Sequence, residues 1–250
     1  MRKQELASGI VHYIFDPQPG RRYATSVTVV FNGNKVMLID AAYEDQLREV
    51  LDEFSGKNIE VESVIISHFH DDHMEGLKLL PKVTIYGSSR FQYTLDLWTD
   101  KEEHRHFTPT IIIDEPISFT YGEHEITLIP QPGHSACTML TIIDNRFVHI
   151  GDEIMFAADG VPLLPSSDWN DMERLLGSLE KLRGFTEYML IPSHGAVFSG
   201  ESLDGEISNR CNYVKAVHDA AGAISYEDAI KDCTCDFAHN EWHENNCKKP

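Results

Sequence analysis

Residues 68 to 73 read His68-Phe69-His70-Asp71-Asp72-His73, directly after the run Val64-Ile65-Ile66-Ser67. Imidazole nitrogen and carboxylate oxygen are the ligand set of zinc, iron or manganese. Packing alone explains such a concentration poorly, because crowded ionisable groups repel, desolvate or need partners. A charged surface turn is the alternative. His68 and His70 stand two apart in an extended segment, so both side chains can turn to one side and bind one ion. Asp72 and His73 follow as the chain turns towards a helix carrying Leu77 and Leu80. Their direction differs, which suits a second, neighbouring ion.

One short segment cannot complete two coordination shells. Further His or Asp residues at strand ends, beside Gly or Pro, occur in three places. His134 stands in Pro132-Gly133-His134-Ser135, Asp152 in Gly151-Asp152, and His194 in Ser193-His194-Gly195. Singly, each reads first as a turn or capping residue.

The elements that must position these residues are legible in part. Segments 9–15, 26–31 and 35–39 are rich in Val, Ile and aromatics and predict strands, with Asn32-Gly33 as a hairpin turn between the last two. Segments 61–67, 83–86, 111–113, 125–129, 138–143, 147–150 and 188–191 predict further strands. Residues 43–54 predict an amphipathic helix with Leu47, Val50, Leu51 and Phe54 on one face. A second helix is predicted over 171–182, with Met172, Leu175, Leu176, Leu179 and Leu182 sharing a face, Asp168 as N-cap and Gly184 as terminator. Helices over 207–221 and 226–232 follow, the latter opened by Ser225 and Asp228. A β-rich first part and then βα alternation, with no clear linker or repeat, predict one α/β domain over residues 1–250. Its core would span about 9–200 and a helical tail about 201–250.

Taken in order, His-x-His-x-Asp-His, Gly-His-Ser, Gly-Asp and Ser-His-Gly resemble the metallo-β-lactamase superfamily, from about Ser26 to Gly195. The resemblance implies a four-layer αββα sandwich, with two facing sheets, outer helices and metals at one edge. It implies that His68, His70 and His134 hold one ion, that Asp72, His73 and His194 hold the other, and that Asp152 bridges them. Asp71 falls on the variable position, outside the ligand set. Asp40 matches an acidic residue the family keeps near the metals, where it would orient a ligand. The cofactors implied are two divalent ions, zinc first, with iron or manganese as alternatives. The activity implied is hydrolysis of a small ester, thioester or lactone by a metal-bridging hydroxide, with Asp72 handling the water's proton and a phosphodiester as the nearest variant. The runner-up is a mononuclear iron dioxygenase of the persulfide type. A third reading is a non-catalytic metal or ligand sensor.

Departures narrow the branch. True β-lactamases of this fold commonly carry Cys where this chain has Asp152. Flavodiiron proteins place an acid where it has His70. Lactonases of the superfamily usually have a Tyr shortly after the bridging Asp, whereas Asp152 is followed by Glu153-Ile154-Met155-Phe156-Ala157. Glyoxalase II-like and lactonase-like enzymes share the full ligand set. Substrate selection falls to two less regular stretches, one with Phe91, Tyr93, Trp98 and Phe107, the other with Leu163, Leu164 and Trp169. Each of these reads first as core, and second as a pocket wall.

Composition excludes other classes. The chain has 250 residues, 42% hydrophobic and 24% charged, with a formal net charge of −19. It has no basic cluster to neutralise phosphates, which argues against nucleic acid as a partner and for a small molecule. No apolar run approaches the ~18 residues of a membrane span. No secretory segment is evident after Met1-Arg2-Lys3, and the five Cys are odd in number, so a reducing cytoplasm is expected. Cys233, Cys235, His239, His243 and Cys247 form a second cluster. A partly buried tail helix, with the last three sharing a face, is expected ahead of a zinc site. Cys137 is expected as a small core residue and His104 and His106 as solvated.

Overall fold

The computed structural model describes residues 1–248. Seven strands form one sheet in chain order: β1 (Arg2–Ala7), β2 (Ile10–Ile14), β3 (Ser26–Asn32), β4 (Lys35–Ile39), β5 (Glu60–Ile65), β6 (Thr84–Ser88) and β7 (Ile111–Ile113). Strands β1 to β4 pair antiparallel and β4 to β7 parallel. The second sheet contains β8 (Ile117–Tyr121), β9 (His124–Pro130), β10 (Met139–Ile143), β11 (Phe147–Gly151), β12 (Met189–Pro192) and β13 (Phe198–Ser199). It runs in the order β13-β12-β11-β10-β9-β8, with only β11 and β12 parallel.

The helices are α1 (Glu44–Ser55), α2 (Asp71–Met74), α3 (Phe91–Trp98), α4 (His104–Phe107), α5 (Met172–Leu182), α6 (Leu203–Asp219), α7 (Tyr226–Ala229) and α8 (His243–Asn246). Strand alternation sorts the core into layers. In β4, Val36 and Leu38 join a cluster with Leu47, Val50 and Phe54 of α1. Its other residues, Met37 and Ile39, meet Ile126, Leu128 and Met139 of the second sheet. In β11, Val148 and Ile150 pack on Leu175 and Leu179 of α5 and Val214 of α6, while Phe147 faces the first sheet. Helices therefore cover the outer face of each sheet, giving the αββα sandwich with a helical C-terminal part.

Several details differ from the sequence reading. Strand β1 was not anticipated: its charged residues Arg2, Lys3 and Glu5 are exposed, so it pairs by backbone at an edge without a hydrophobic signature. Strand β8 was also missed, although Ile117, Phe119 and Tyr121 alternate with polar residues along it, and α3 and α4 lie in a stretch read as irregular. The β3–β4 turn is Gly33-Asn34, one residue later than expected, with Gly33 at φ 63. Asp168 does not cap α5. Asp171 does, accepting a hydrogen bond from Arg174 N at 3.0 Å. His239 does not share a helical face with His243 and Cys247. It stands before α8 with φ 58 and stacks on Trp242. Among the described residues, no helix is long and apolar enough to cross a membrane.

Candidate metal centre

The seven singled-out residues are all buried, and they converge on one end of the sandwich. His68 and His70 follow β5, and Asp72 and His73 lie on the short helix α2. His134 sits between β9 and β10, Asp152 directly after β11, and His194 directly after β12. Most of these points follow the carboxyl ends of parallel strands, where α/β sheets leave a crevice for ligands. Close backbone approach tightens the frame. A Cβ on Gly133 would stand 2.3 Å from the Glu153 carboxylate oxygens, and that carboxylate accepts a hydrogen bond from His134 N at 2.8 Å.

Hydrogen bonds fix which nitrogen each imidazole turns inward. Ser67 Oγ donates to Asp40 Oδ2 at 2.8 Å, so it is left as an acceptor for His68 Nδ1 at 3.1 Å. His73 Nδ1 donates to Asp40 Oδ2 at 2.9 Å, His134 Nδ1 to Ser166 O at 2.9 Å and His194 Nδ1 to Ala24 O at 2.8 Å. His70 is reversed: its Nε2 donates to Asp168 Oδ1 at 2.9 Å, and its Nδ1 faces inward. Five outward N–H groups leave five lone pairs pointing at a common space. The facing nitrogens of His68 and His70 are 3.1 Å apart and those of His134 and His70 3.4 Å. Lone pairs at that separation repel unless a cation lies between them.

The spacing suits such a cation. An ion with tetrahedral bonds of about 2.1 Å sets its ligands about 3.4 Å apart. Asp152 Oδ2 stands 3.7 Å from His68 Nε2, 3.7 Å from His134 Nε2, 3.5 Å from His73 Nε2 and 3.2 Å from His194 Nε2. Asp72 reaches His73 Nε2 at 3.5 Å with one oxygen and His194 Nε2 at 3.4 Å with the other. The donor atoms form two groups, His68, His70, His134 and Asp152, then Asp72, His73 and His194; within each, all lie within 4.8 Å of one another. Asp152 Oδ1 and His73 Nε2 are buried with no hydrogen-bond partner. Such orphaned donors are what a coordinated ion would satisfy.

The electrostatics agree. Burial, helped by neighbouring imidazoles, holds His68 well below the ordinary histidine value, and burial brings His134 down to about 4, so both keep the neutral, ligating form. His73 and His194 are pushed down by burial but pulled further up by Asp152 and Asp72, which demand positive charge beside them. Asp40 has φ 63, a conformation uncommon outside glycine, and it is fixed there by His73, Ser67 and Ser193. It therefore sits beside His73, one of the candidate ligands. Asp71 lies outside both groups and accepts a hydrogen bond from Asp72 N at 3.0 Å.

A cavity of about 400 Å³ opens onto both groups. Of the two variable stretches, Trp98 and Trp169 line it, while Phe107, Leu163 and Leu164 are core and Tyr93 is exposed. Sequence reasoning missed Asp168, whose bond to His70 is described above, because Ser167-Asp168-Trp169-Asn170-Asp171 offers two acidic caps before one helix. It also passed over Arg21, which lines the cavity. The available signal was Arg21-Arg22, the chain's one adjacent arginine pair. Of the C-terminal Cys and His residues, Cys233 donates to Asn209 O, while His243 bonds Tyr213 Oη and Ile224 O and lies 3.4 Å from Cys247 Sγ.

Known proteins resemble this chain in sequence and in fold. A family model described as the Metallo-beta-lactamase superfamily matches residues 20–194. The chain is 24% identical over 214 residues to the Beta-lactamase-like protein 2 homolog of Caenorhabditis elegans, covering 78% of this chain and 64% of that one. It is 22% identical over 174 residues to the Hydroxyacylglutathione hydrolase of Haemophilus ducreyi, covering 67% and 64%. The chain thus spans under two thirds of the length of these relatives. In fold it is similar to a metallo-beta-lactamase from Pontibacter korlensis, with TM-score 0.67, 16% identity, and coverage of 83% and 97%. The fold and the two His/Asp clusters indicate divalent-metal binding. By a match over most of its length, this chain belongs to the metallo-β-lactamase superfamily.

Proposed function

We propose that the protein is a metal-dependent hydrolase that uses two divalent ions to cleave a small ester, thioester or lactone. The observation that carries this reading is the position of Asp152, whose Oδ2 lies within 3.7 Å of imidazole nitrogens from both donor groups. His68, His70 and His134 would hold the first ion, Asp72, His73 and His194 the second, and Asp152 both. Bound there, divalent ions would supply a water acidified from a pKa of about 15.7 to about 7 and polarise the scissile oxygen.

The chain's own residues would do the rest. Asp72 opens onto the cavity and lies beside the second group, so it can orient the attacking water and take its proton. As the bond to the acyl carbon forms and the leaving group departs, Asp72 returns that proton to the leaving oxygen or sulfur. The carboxylate thus ends the cycle as it began. Asp40, Ser67, Asp168 and the carbonyls of Ala24 and Ser166 hold the imidazoles and need no rearrangement during reaction. The similarity to a hydroxyacylglutathione hydrolase supports a thioester within this range, since an acylglutathione is one.

Metal analysis of the purified protein, combined with a panel of chromogenic esters, thioesters, lactones and phosphodiesters, tests the reading. Close to two ions per chain and turnover on the first three classes are expected. One iron per chain with sulfide-dependent oxygen uptake would overturn it.

A further inference from the structure

We propose that the cavity beside the two donor groups selects molecules with one anionic and one apolar part, and that Arg21 binds the anion. For its reaction this rests on the hydrolase reading above; for its ligand it rests on the cavity alone.

Arg21 lies in the loop between β2 and β3 and is, among the described residues, the only lysine or arginine lining the cavity. Its guanidinium is 5.5 Å from the centre of the Tyr23 ring and 5.4 Å from that of Tyr43. One terminal nitrogen donates to Tyr43 Oη and lies 3.6 Å from Asp72 Oδ2, too long for a hydrogen bond. The other terminal nitrogen and Nε have no hydrogen-bond partner among the described residues. Two aromatic rings thus hold a guanidinium whose remaining donors are available, and such a fork matches a carboxylate.

Charge balance favours this use. Four carboxylates line the cavity, Asp71, Asp72, Asp152 and Asp168. Two divalent ions would match them and Arg21 would offset the nucleophilic hydroxide, so the cavity would carry no net negative charge in an otherwise strongly acidic chain. The apolar part has its own surface. The chain's three tryptophans, Trp98, Trp169 and Trp242, all line this cavity. Trp98 is 49% exposed and Trp169 51%, with Leu97 beside them at 40%. Solvent-exposed indoles grouped around a cavity mark a binding wall. Trp98 lies against His70 of the first donor group, with ring centres 4.7 Å apart, whereas Arg21 stands beside Asp72 of the second. The two recognition elements flank the centre from opposite groups, so a bound molecule would span it.

The three tryptophans supply the readout. Metal-loaded protein is titrated with phenylacetate and with phenylacetamide, following indole fluorescence. Phenylacetate is expected to bind at least tenfold more tightly. Arg21→Ala should remove that preference and Arg21→Lys should keep most of it. Turnover of monophenyl succinate against phenyl butyrate should show the same loss of preference for the anionic ester. Equal binding of the two probes, no binding of phenylacetate, or a preference unchanged in Arg21→Ala would overturn the proposal. If neither ester is cleaved yet phenylacetate binding depends on Arg21, the hydrolase reading falls and the anion site stands. If esters are cleaved and the probes bind alike, the reverse holds.

Discussion

Asp168 Oδ1 accepts the Nε2 hydrogen of His70 at 2.9 Å, and this bond turns His70 Nδ1, not Nε2, towards the donor cluster. Trp98 Nε1 donates to the same oxygen at 3.2 Å. Burial pushes the Asp168 carboxyl up, but the hydrogen bond from His70 outweighs it and holds the group well below the usual carboxylate range. Asp168 is therefore an anion, fixed between a proposed ligand and the cavity wall.

Removing that acceptor should loosen the first ion. Asp168→Ala is expected to lower metal affinity about 10- to 100-fold, the usual cost of losing such a partner. Asp168→Asn, which retains an acceptor oxygen, should lose less. Competition with a chromophoric chelator measures both, and equal affinities in wild type and Asp168→Ala would contradict the role.

Asp152→Ala should affect both ions together. Its Oδ2 is within 3.7 Å of nitrogens in each group, so both shells lose a ligand. Metal content is expected to fall below one ion per chain and turnover to be lost. A variant that keeps two ions and activity would show that Asp152 does not bridge.

Gly133→Ala tests the frame behind His134. The new Cβ would meet the Glu153 oxygens at 2.3 Å and Ser178 Cβ at 2.4 Å. Overpacking of this kind costs about 1–3 kcal/mol. Because Glu153 also accepts from His134 N, the loss should appear both in the urea midpoint and in metal affinity. Destabilisation without weaker metal binding would separate the two.

Acid should unfold the protein partly through His12. This residue is fully buried between the sheets, bonded to Thr28 Oγ1 at 2.9 Å, and burial, with His149, lowers it to about 3. Its folded value lies below its unfolded value of 6.5. The unfolded chain therefore binds the proton first, and stability is full above pH 6.5 and lost as pH falls towards 3. The loss by pH 4.5 is on the order of 3 kcal/mol. His12→Phe should flatten this part of the stability–pH curve between pH 6.5 and 4.5. An unchanged slope would contradict it.

The sequence made the site more legible than its surroundings. The candidate ligand residues announce themselves by type, and short runs of mostly apolar residues mark β4, β10 and β11, whose side chains divide between two buried layers. Edge strand β1 carries mostly charged or polar, exposed residues, so no apolar pattern betrays it; edge strand β8 does alternate, Ile117-Ser118-Phe119-Thr120-Tyr121, but most of it is exposed and its signal was passed over. Asp168 and Asp171 are the same residue type three positions apart, and only tertiary structure decides that one caps a helix and the other meets His70, which is 98 positions away. Arg21 gains its meaning only when its loop folds over Asp72.

Each donor group draws on both sheets: His68, His70, Asp72 and His73 follow β5, while His134, Asp152 and His194 come from the β9 to β13 half. An ion seated in either group would consequently be a further cross-link between two halves that also meet through side-chain packing and through hydrogen bonds such as Ser193 Oγ to Asp40 Oδ2 and Met139 N to Ser67 O. Saturation at a thousand times the dissociation constant would add about 4 kcal/mol to the folded state for each such link. The folded fraction of this chain would then be tied to the free metal concentration around it, and starvation for metal would loosen the sandwich at the edge where the two donor groups lie.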